Sequence, residues 1–354
     1  MALGKTKTLV LHTGDHKTGS TSIQYALAAG RIRLAGRTLC YPSRLAHNHL
    51  AVRFRNPKSP DAAAQFNPLA ETIGKKAADV SVISAEHLEG AKPENVKTVW
   101  NTYFTKVAER LGIVSYVRPH ASRTVSTCAE VIKVGAFMGD SLEEFFDKRN
   151  MTKRLNYTPR CQSWRKEFGE AYTLRPFVRS ELHEGSVVAD FLKSALGDTD
   201  FTIETGKSAN ESLSLKDLMV IKLVHQSFQD QSAHVRLGMG WALARHLNAH
   251  ESSKGEKLAL HRSLAEKIAT VFRNDAKAMD AEFFDGRPLL QDALDRSVET
   301  SIAEPQSLRI EDHLSPAQQR DVAAMALTMR EMFDNGSGWQ GYLRENKIKA
   351  ISSL

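Results

Sequence analysis

Along the first two hundred positions, apolar residues fall in short runs separated by longer segments with three- and four-residue spacing. TLVLHT (8–13) is a compact apolar run that meets a glycine-bearing loop, and the STSIQYALAA that follows has helical composition, which predicts strand, loop, helix. VSVIS (80–84), IVSYV (113–117) and YTLRPFV (172–178) predict three more strands. SPDAAAQFNPLAETIGKKA, the amphipathic VKTVWNTYFTKVAERL and WRKEFG precede them, and VVADFLKSAL follows the last; these read as helical. Strands alternating with helical segments of about ten residues or more imply βαβ units and a parallel sheet. From about residue 211 the pattern changes. LKDLMVIKLVHQSF, KLALHRSLAEKIATVFRNDA and SPAQQRDVAAMALTMREMF carry apolar residues at helical spacing with no strand between them. The expectation is an α/β core over 1–205 and a helical portion over 206–354 packed on it, as one integrated domain. AKPEN (91–95) reads as a surface loop and helix start, and no internal repeat is evident.

Composition narrows the class without choosing a function. The 354 residues, 42% hydrophobic and 25% charged, suit a globular protein with one large core or two ordinary ones. A formal charge of +7 is compatible with an anionic partner or simply with solubility. Cys40, Cys128 and Cys161 are too few and too scattered for a disulfide framework, and no CxxC pair suggests zinc. MALGKTKTLVLHTG has no long apolar stretch with a small-residue cleavage site, so no signal peptide is read. No window approaches the roughly 18 apolar residues of a membrane span, and a cytoplasmic enzyme is expected. Oligomeric state is not legible.

The chemistry concentrates in LVLHTGDHKTGSTSIQYAL (10–28). Gly14 and Gly19 have the spacing of a nucleotide triphosphatase loop, G-x-x-x-x-G-K-[ST], but the lysine stands inside the loop at Lys17 and Ser20 occupies its usual place. A loop between strand and helix aims backbone N–H groups and a helix N-terminus at one spot, which suits an anion. Ser20 and Thr21 place hydroxyls on the first helical turn. A lysine on the crown of the loop is placed to follow a bridging oxygen as it gains charge.

The run H-T-G-D-H-K-T-G-S-T-S-I-Q resembles the 5′-phosphosulfate loop of the PAPS-dependent sulfotransferases, above all the bacterial and carbohydrate-type members. The resemblance implies a P-loop-type parallel sheet flanked by helices and the donor 3′-phosphoadenosine 5′-phosphosulfate (PAPS). It also implies release of adenosine 3′,5′-bisphosphate and no metal requirement. It assigns donor binding to Gly14, His16, Lys17, Thr18, Gly19, Ser20, Thr21 and Ser22. Ser22 stands where other members often have a tryptophan against adenine, so the stacking residue is unassigned. In IVSYVRPHASRTVSTCAEVIK (113–133), Arg118 at a strand end and Ser126 eight residues on match the family's 3′-phosphate site, with Ser122 and Arg123 as weaker candidates. Arginine suits that task because its planar fork binds phosphate oxygens in pairs.

VSVISAEHLEG (80–90) is similar to the acceptor side of the family's site. Glu86 is the first candidate for the base that takes the acceptor's proton and His87 the second; alternatively the pair marks only a helix start, with Ser84 as N-cap. His12 reads as a packed core residue, and Gln24 as a residue that positions the loop or the acceptor. Arg175 and Arg179 share a strand face and either attract an anionic acceptor or pair locally. GKSANES (206–212) is a positional candidate for a donor-closing loop. The resemblance spans about residues 8–215.

The expected activity is transfer of a sulfuryl group from PAPS to a hydroxyl or amine of a saccharide or other small molecule, with Lys17 on the leaving oxygen. The alternatives are a P-loop kinase or NTPase, which needs a lysine at position 20 and a metal-binding carboxylate, and a non-catalytic anion- or nucleic-acid-binding module. No dense basic stripe with interleaved aromatics supports nucleic acid as a partner.

Overall fold

The computed structural model describes residues 4–197, 200–204, 212–249 and 255–338, with Gly341 and Glu345. Positions 206–211 of the GKSANES segment lie outside the described residues. Residue contacts divide the chain into two compact units. The first is Met1–Arg123, Thr152–Ala209 and Ala265–Thr300; the second is Thr124–Met151, Asn210–Leu264 and Ser301–Leu354.

The first unit holds a five-stranded parallel sheet. Its strands are β1 (Thr6–His12), β3 (Leu39–Cys40), β4 (Val80–Ser84), β5 (Ala108–Val117) and β6 (Tyr172–Pro176), in the order β3-β4-β1-β5-β6; a separate antiparallel pair joins β2 (Ile32–Leu34) to β7 (Phe201–Ile203). The fold is therefore α/β, a parallel sheet with helices around it, as the alternating pattern implies. Leu9, Val10 and Leu11 of β1 and all five residues of β4 are buried. A parallel sheet covered on both faces buries the side chains on either side of its central strands. Val10, Val82, Val114 and Tyr116 form one core cluster with Ile23 and Leu27 of the helix Ser20–Ala28 and with Phe191 and Leu192 of the helix Val187–Leu196.

Register places the site. His12 lies opposite Ser84 on one side and Val114 on the other, so β1 and β4 end at one level while β5 runs three residues further, to Val117. The chain leaves β1 towards β3 and β4 and returns on the other side as β5. The loop after β1 thus lies where the sheet order reverses, at the carboxyl ends of the strands, where open α/β sheets bind ligands.

Several boundaries differ from the pattern-based reading. VKTVWNTYFTKVAERL is not one helix: Pro93–Val99 is α-helical, Trp100–Phe104 forms a π turn, and β5 already begins at Ala108. The AERL segment is taken into the sheet because Ala108, Arg110 and Leu111 pair with Thr6, Thr8 and Leu9; tertiary pairing overrides local helical preference. β2 and β7, three residues each, are too short to show a period. The helix expected from Lys257 begins only at Arg262, after a bridge between His261 and Ile302.

The second unit is helical among its described residues. It includes Leu142–Lys148, Leu215–Gln226, Ala233–Asn248 and Pro316–Asn335. Leu223 packs with Ile310 and Leu314, and Val224 with Phe228 and Ala326. The buried Lys222 ammonium donates to the carbonyl oxygens of Gly139 and Leu308, at 2.8 and 2.5 Å. Among the described residues, no helix is long and apolar enough to cross a membrane.

Candidate functional site

The loop from Thr13 to Gly19 is held from beneath. Thr13 Oγ1 is hydrogen-bonded to Ser115 Oγ on β5. Thr18, fully buried, turns inward and donates from Oγ1 to the Asp15 carbonyl at 2.6 Å, so its hydroxyl braces the loop. Lys17 and Gly19 both adopt left-handed backbone conformations, φ +69° and +78°. A lysine pays a steric penalty there that glycine does not. Two contacts hold it: Arg118 Nη1 donates to the Lys17 carbonyl at 2.8 Å, and the Lys17 N–H donates to Glu86 Oε1 at 3.3 Å. Gly19 also has to be small, because a Cβ would fall 2.8 Å from Val187 Cγ1.

Asp15 is the anchor. Its buried carboxylate accepts from Arg123 Nη1 at 2.6 Å and from Arg160 Nη1 and Nη2 at 2.7 and 2.6 Å. Glu89 Oε1 accepts from Arg123 Nη2 at 2.6 Å and pairs with Arg160 Nη1 at 3.2 Å, and its other oxygen accepts the His16 N–H at 3.1 Å. Both guanidinium groups lie within cation–π reach of the Tyr157 ring. Burial alone would raise the Glu89 carboxyl; the two arginines outweigh it and hold the group down at about 2.

The helix Ser20–Ala28 starts directly at the end of the loop. Its N-cap is Gly19, with no capping side chain, and the first N–H groups of a helix have no intrahelical acceptor. Ser20 is 2% exposed, yet its Oγ has no hydrogen-bond partner. A Cβ on Gly14 would fall 3.0 Å from that oxygen and 2.6 Å from His12 Nε2, which is also buried and unpartnered. A buried hydroxyl without a partner is costly unless something outside the chain satisfies it. Those features fit a tetrahedral oxyanion seated on the helix start. The N–H groups of His16 and Lys17 do not extend the cradle, since carboxylates take them.

His12 is fully buried beside Tyr116 and Phe191, and its Nδ1 is 2.8 Å from Ser84 Oγ, which also accepts from Gln24 Nε2 at 3.1 Å. Burial pushes the His12 imidazole down to about 4, so it is neutral. Ser84 therefore links β1, β4 and the loop's helix and does not cap the 3₁₀ turn Glu86–Gly90, which has no side-chain cap. Glu86 faces the loop: besides the Lys17 N–H it meets His16 Nδ1 at 3.0 Å. Burial would raise its carboxyl, but His16 and Lys17 hold it below the ordinary carboxylate value. His87 is exposed, its ring 5.3 Å from that of His16, and burial together with the His16 charge lowers its imidazole.

The structure thus brings together Gly14, His16, Lys17, Thr18, Gly19 and Ser20 with Glu86, His87 and Arg118. Thr21 is exposed and Ser22 half-buried on the same helix. Arg118 also donates from Nε to Ser122 Oγ at 3.2 Å and lies over the Phe177 ring. Ser126, half-buried, is grouped with the second unit. Arg175 is committed to Asp190, donating from Nη2 at 2.6 Å, while Arg179 is exposed. Sequence reasoning missed Asp15, Glu89 and Arg160. Asp15 stood in the quoted loop as one polar residue among several, and Arg160, in the polar TPRCQSWRKEF, gave no signal. Among the described residues, no group of His, Cys, Asp or Glu is arranged to hold a metal ion.

No family model matches the chain, and no curated protein matches it by sequence. Among solved structures, a sulfotransferase from Alicyclobacillus acidocaldarius is similar over 82% of this chain and all of its own, at 10% identity and a TM-score of 0.44.

Proposed function

We propose that the chain is a sulfotransferase that uses PAPS and transfers a sulfuryl group to a hydroxyl of a small-molecule or saccharide acceptor. The observation that carries this reading is the loop itself: a lysine on its crown two residues before Gly19, above a helix start with a buried, unpartnered Ser20 hydroxyl. When bound, PAPS supplies an activated sulfuryl group joined to a nucleotide phosphate.

The chain's own residues then divide the work. Ser20 Oγ and the first N–H groups of its helix bind oxygens of the phosphosulfate. Arg118, at the end of β5, offers its guanidinium to the 3′-phosphate, a role in which a planar fork outperforms an ammonium. Lys17 meets charge that forms on the departing phosphate oxygen. A charge met only in the transition state raises turnover without tightening ground-state binding. The acceptor approaches from the His16, Glu86 and His87 side.

Two measurements test the reading. Calorimetry should find adenosine 3′,5′-bisphosphate bound without metal and ATP with magnesium bound poorly. Lys17→Ala should lower sulfuryl transfer by about 10²–10³ while nucleotide affinity changes little, the size seen when one transition-state donor is removed. Alanine keeps the Cβ of lysine, so the left-handed backbone at this position is penalised equally in both proteins. Near-normal turnover in Lys17→Ala would remove the lysine from its role, and tight metal-dependent ATP binding would replace the reading with a nucleotide kinase.

A further inference from the structure

Glu86 is the residue that the sequence put forward as base, yet two donors from the loop already occupy its carboxylate. The Lys17 N–H is 3.3 Å away and His16 Nδ1 3.0 Å, both at Oε1. Those two donors stabilise the ionised carboxylate, and a carboxylate held below its ordinary value is a weak proton acceptor near neutral pH. The imidazole opposite it is better placed. Its backbone is fixed, because the His16 N–H donates to Glu89 and Glu89 is tied to Arg123 and Arg160. Its ring is fixed by Glu86. With Nδ1–H donated to the carboxylate, the remaining lone pair sits on Nε2, which bonds no protein group among the described residues. The side chain is 37% exposed, so a dissolved acceptor can reach it, and it immediately precedes Lys17.

We propose that His16, through Nε2, takes the proton of the acceptor hydroxyl, with Glu86 as the carboxylate that orients the ring and stabilises the imidazolium. The inference rests on the sulfuryl-transfer reading. In the step it describes, the acceptor oxygen forms its bond to sulfur while the bond from sulfur to the phosphate oxygen breaks. The electron pair of that bond stays with the nucleotide phosphate beside Lys17, the hydroxyl proton passes to Nε2, and the imidazolium later returns it to solvent. The products are a sulfate ester and adenosine 3′,5′-bisphosphate.

The charged and titratable groups facing His16 are Glu86 and His87 on the 3₁₀ turn, Glu89 behind its backbone, Lys17 next to it, and Arg123 from the helix His120–Lys133. Burial opposes a charge on the ring, but the two carboxylates prevail and lift the imidazole above its ordinary 6.5. The neutral ring is the working form. Activity should rise with pH through a limb above 6.5 and level off beyond it.

The test uses the full chain, PAPS labelled in its sulfate, and water, phenols and monosaccharides as acceptors. Transfer is followed against pH, and the His16 ring is titrated separately by NMR. His16→Ala should lower transfer by about 10²–10⁴, erase the limb, keep nucleotide binding, and recover in part with free imidazole. Glu86→Gln should move both the limb and the NMR titration of His16 to lower pH while some activity remains. If Glu86→Gln abolishes transfer and His16→Ala keeps the wild-type rate and limb, the carboxylate is the base and the inference fails while the sulfotransferase reading stands. Nucleotide binding without sulfate release to any acceptor removes the base and leaves only the donor site. Absence of both binding and transfer in the wild type overturns the reading and the inference together. Thermal unfolding of each variant identifies any loss due to misfolding, and His16→Gln then replaces a misfolded His16→Ala.

Discussion

Replacing Arg123 by methionine tests whether the loop is held by buried charge. The side chain is 3% exposed and donates at 2.6 Å both to Asp15 Oδ2 and to Glu89 Oε1. After the substitution Asp15 keeps both bonds from Arg160, whereas Glu89 keeps only Arg160 Nη1 at 3.2 Å and the His16 N–H at 3.1 Å. Stranding one member of a buried ion pair costs about 3–5 kcal/mol. Because Glu89 retains two donors and is 15% exposed, the lower end, about 3 kcal/mol, is expected at pH 7. That is a large share of the roughly 5–15 kcal/mol that keeps a domain folded.

The loss has a pH signature. In the wild type Glu89 sits at about 2, below the 4.5 of the unfolded chain. It therefore stabilises the fold above about pH 4.5, and that contribution fades as pH falls towards 2. At about 1.4 kcal/mol per pH unit of displacement, this is roughly 3 kcal/mol in all. Without Arg123 the displacement shrinks, so wild type and Arg123→Met should converge between about pH 4.5 and 2. Urea unfolding followed by tryptophan fluorescence at several pH values measures the gap. A difference under about 1 kcal/mol at pH 7, or one that stays constant into acid, would show that the network does not carry the loop.

Three further outcomes follow from the same geometry. Ser20→Ala should leave the unfolding free energy from urea titration within about 0.5 kcal/mol of wild type, since its hydroxyl bonds nothing in the protein, yet weaken adenosine 3′,5′-bisphosphate in calorimetry by about 1 kcal/mol. Equal affinity in the two proteins would take the hydroxyl out of the cradle. Gly19→Ala should destabilise by about 1–3 kcal/mol, through its φ of +78° and a Cβ 2.8 Å from Val187 Cγ1, and the thermal midpoint reads it directly. Gly14→Ala should abolish nucleotide binding, because its Cβ would lie 2.6 Å from His12 Nε2 and 3.0 Å from Ser20 Oγ; a crystal soak or calorimetric titration decides it.

Much of this was legible before any coordinates. Strand periodicity marked VSVIS at its observed limits, the glycine spacing marked the loop, and the VVADFLKSAL run marked a helix at its observed limits. Those features are local: side chains a few residues apart share one face, and a φ above zero calls for glycine. The left-handed Lys17, by contrast, is imposed from outside the loop, by Arg118 on its carbonyl and Glu86 on its N–H.

What the order of residues determined alone was the loop's chemistry: which glycines permit the turn, which hydroxyls open the helix, and that the lysine stands on the crown. Tertiary structure decided which carboxylates and guanidinium groups meet that loop. Asp15 finds Arg160 145 positions away, and His16 finds Glu86 70 positions away, because β4 and β5 lie on either side of β1 and the chain beyond each comes back to the loop that follows it. Pairing between charges depends on distance in space, and strand order sets that distance; periodicity along the chain does not contain it.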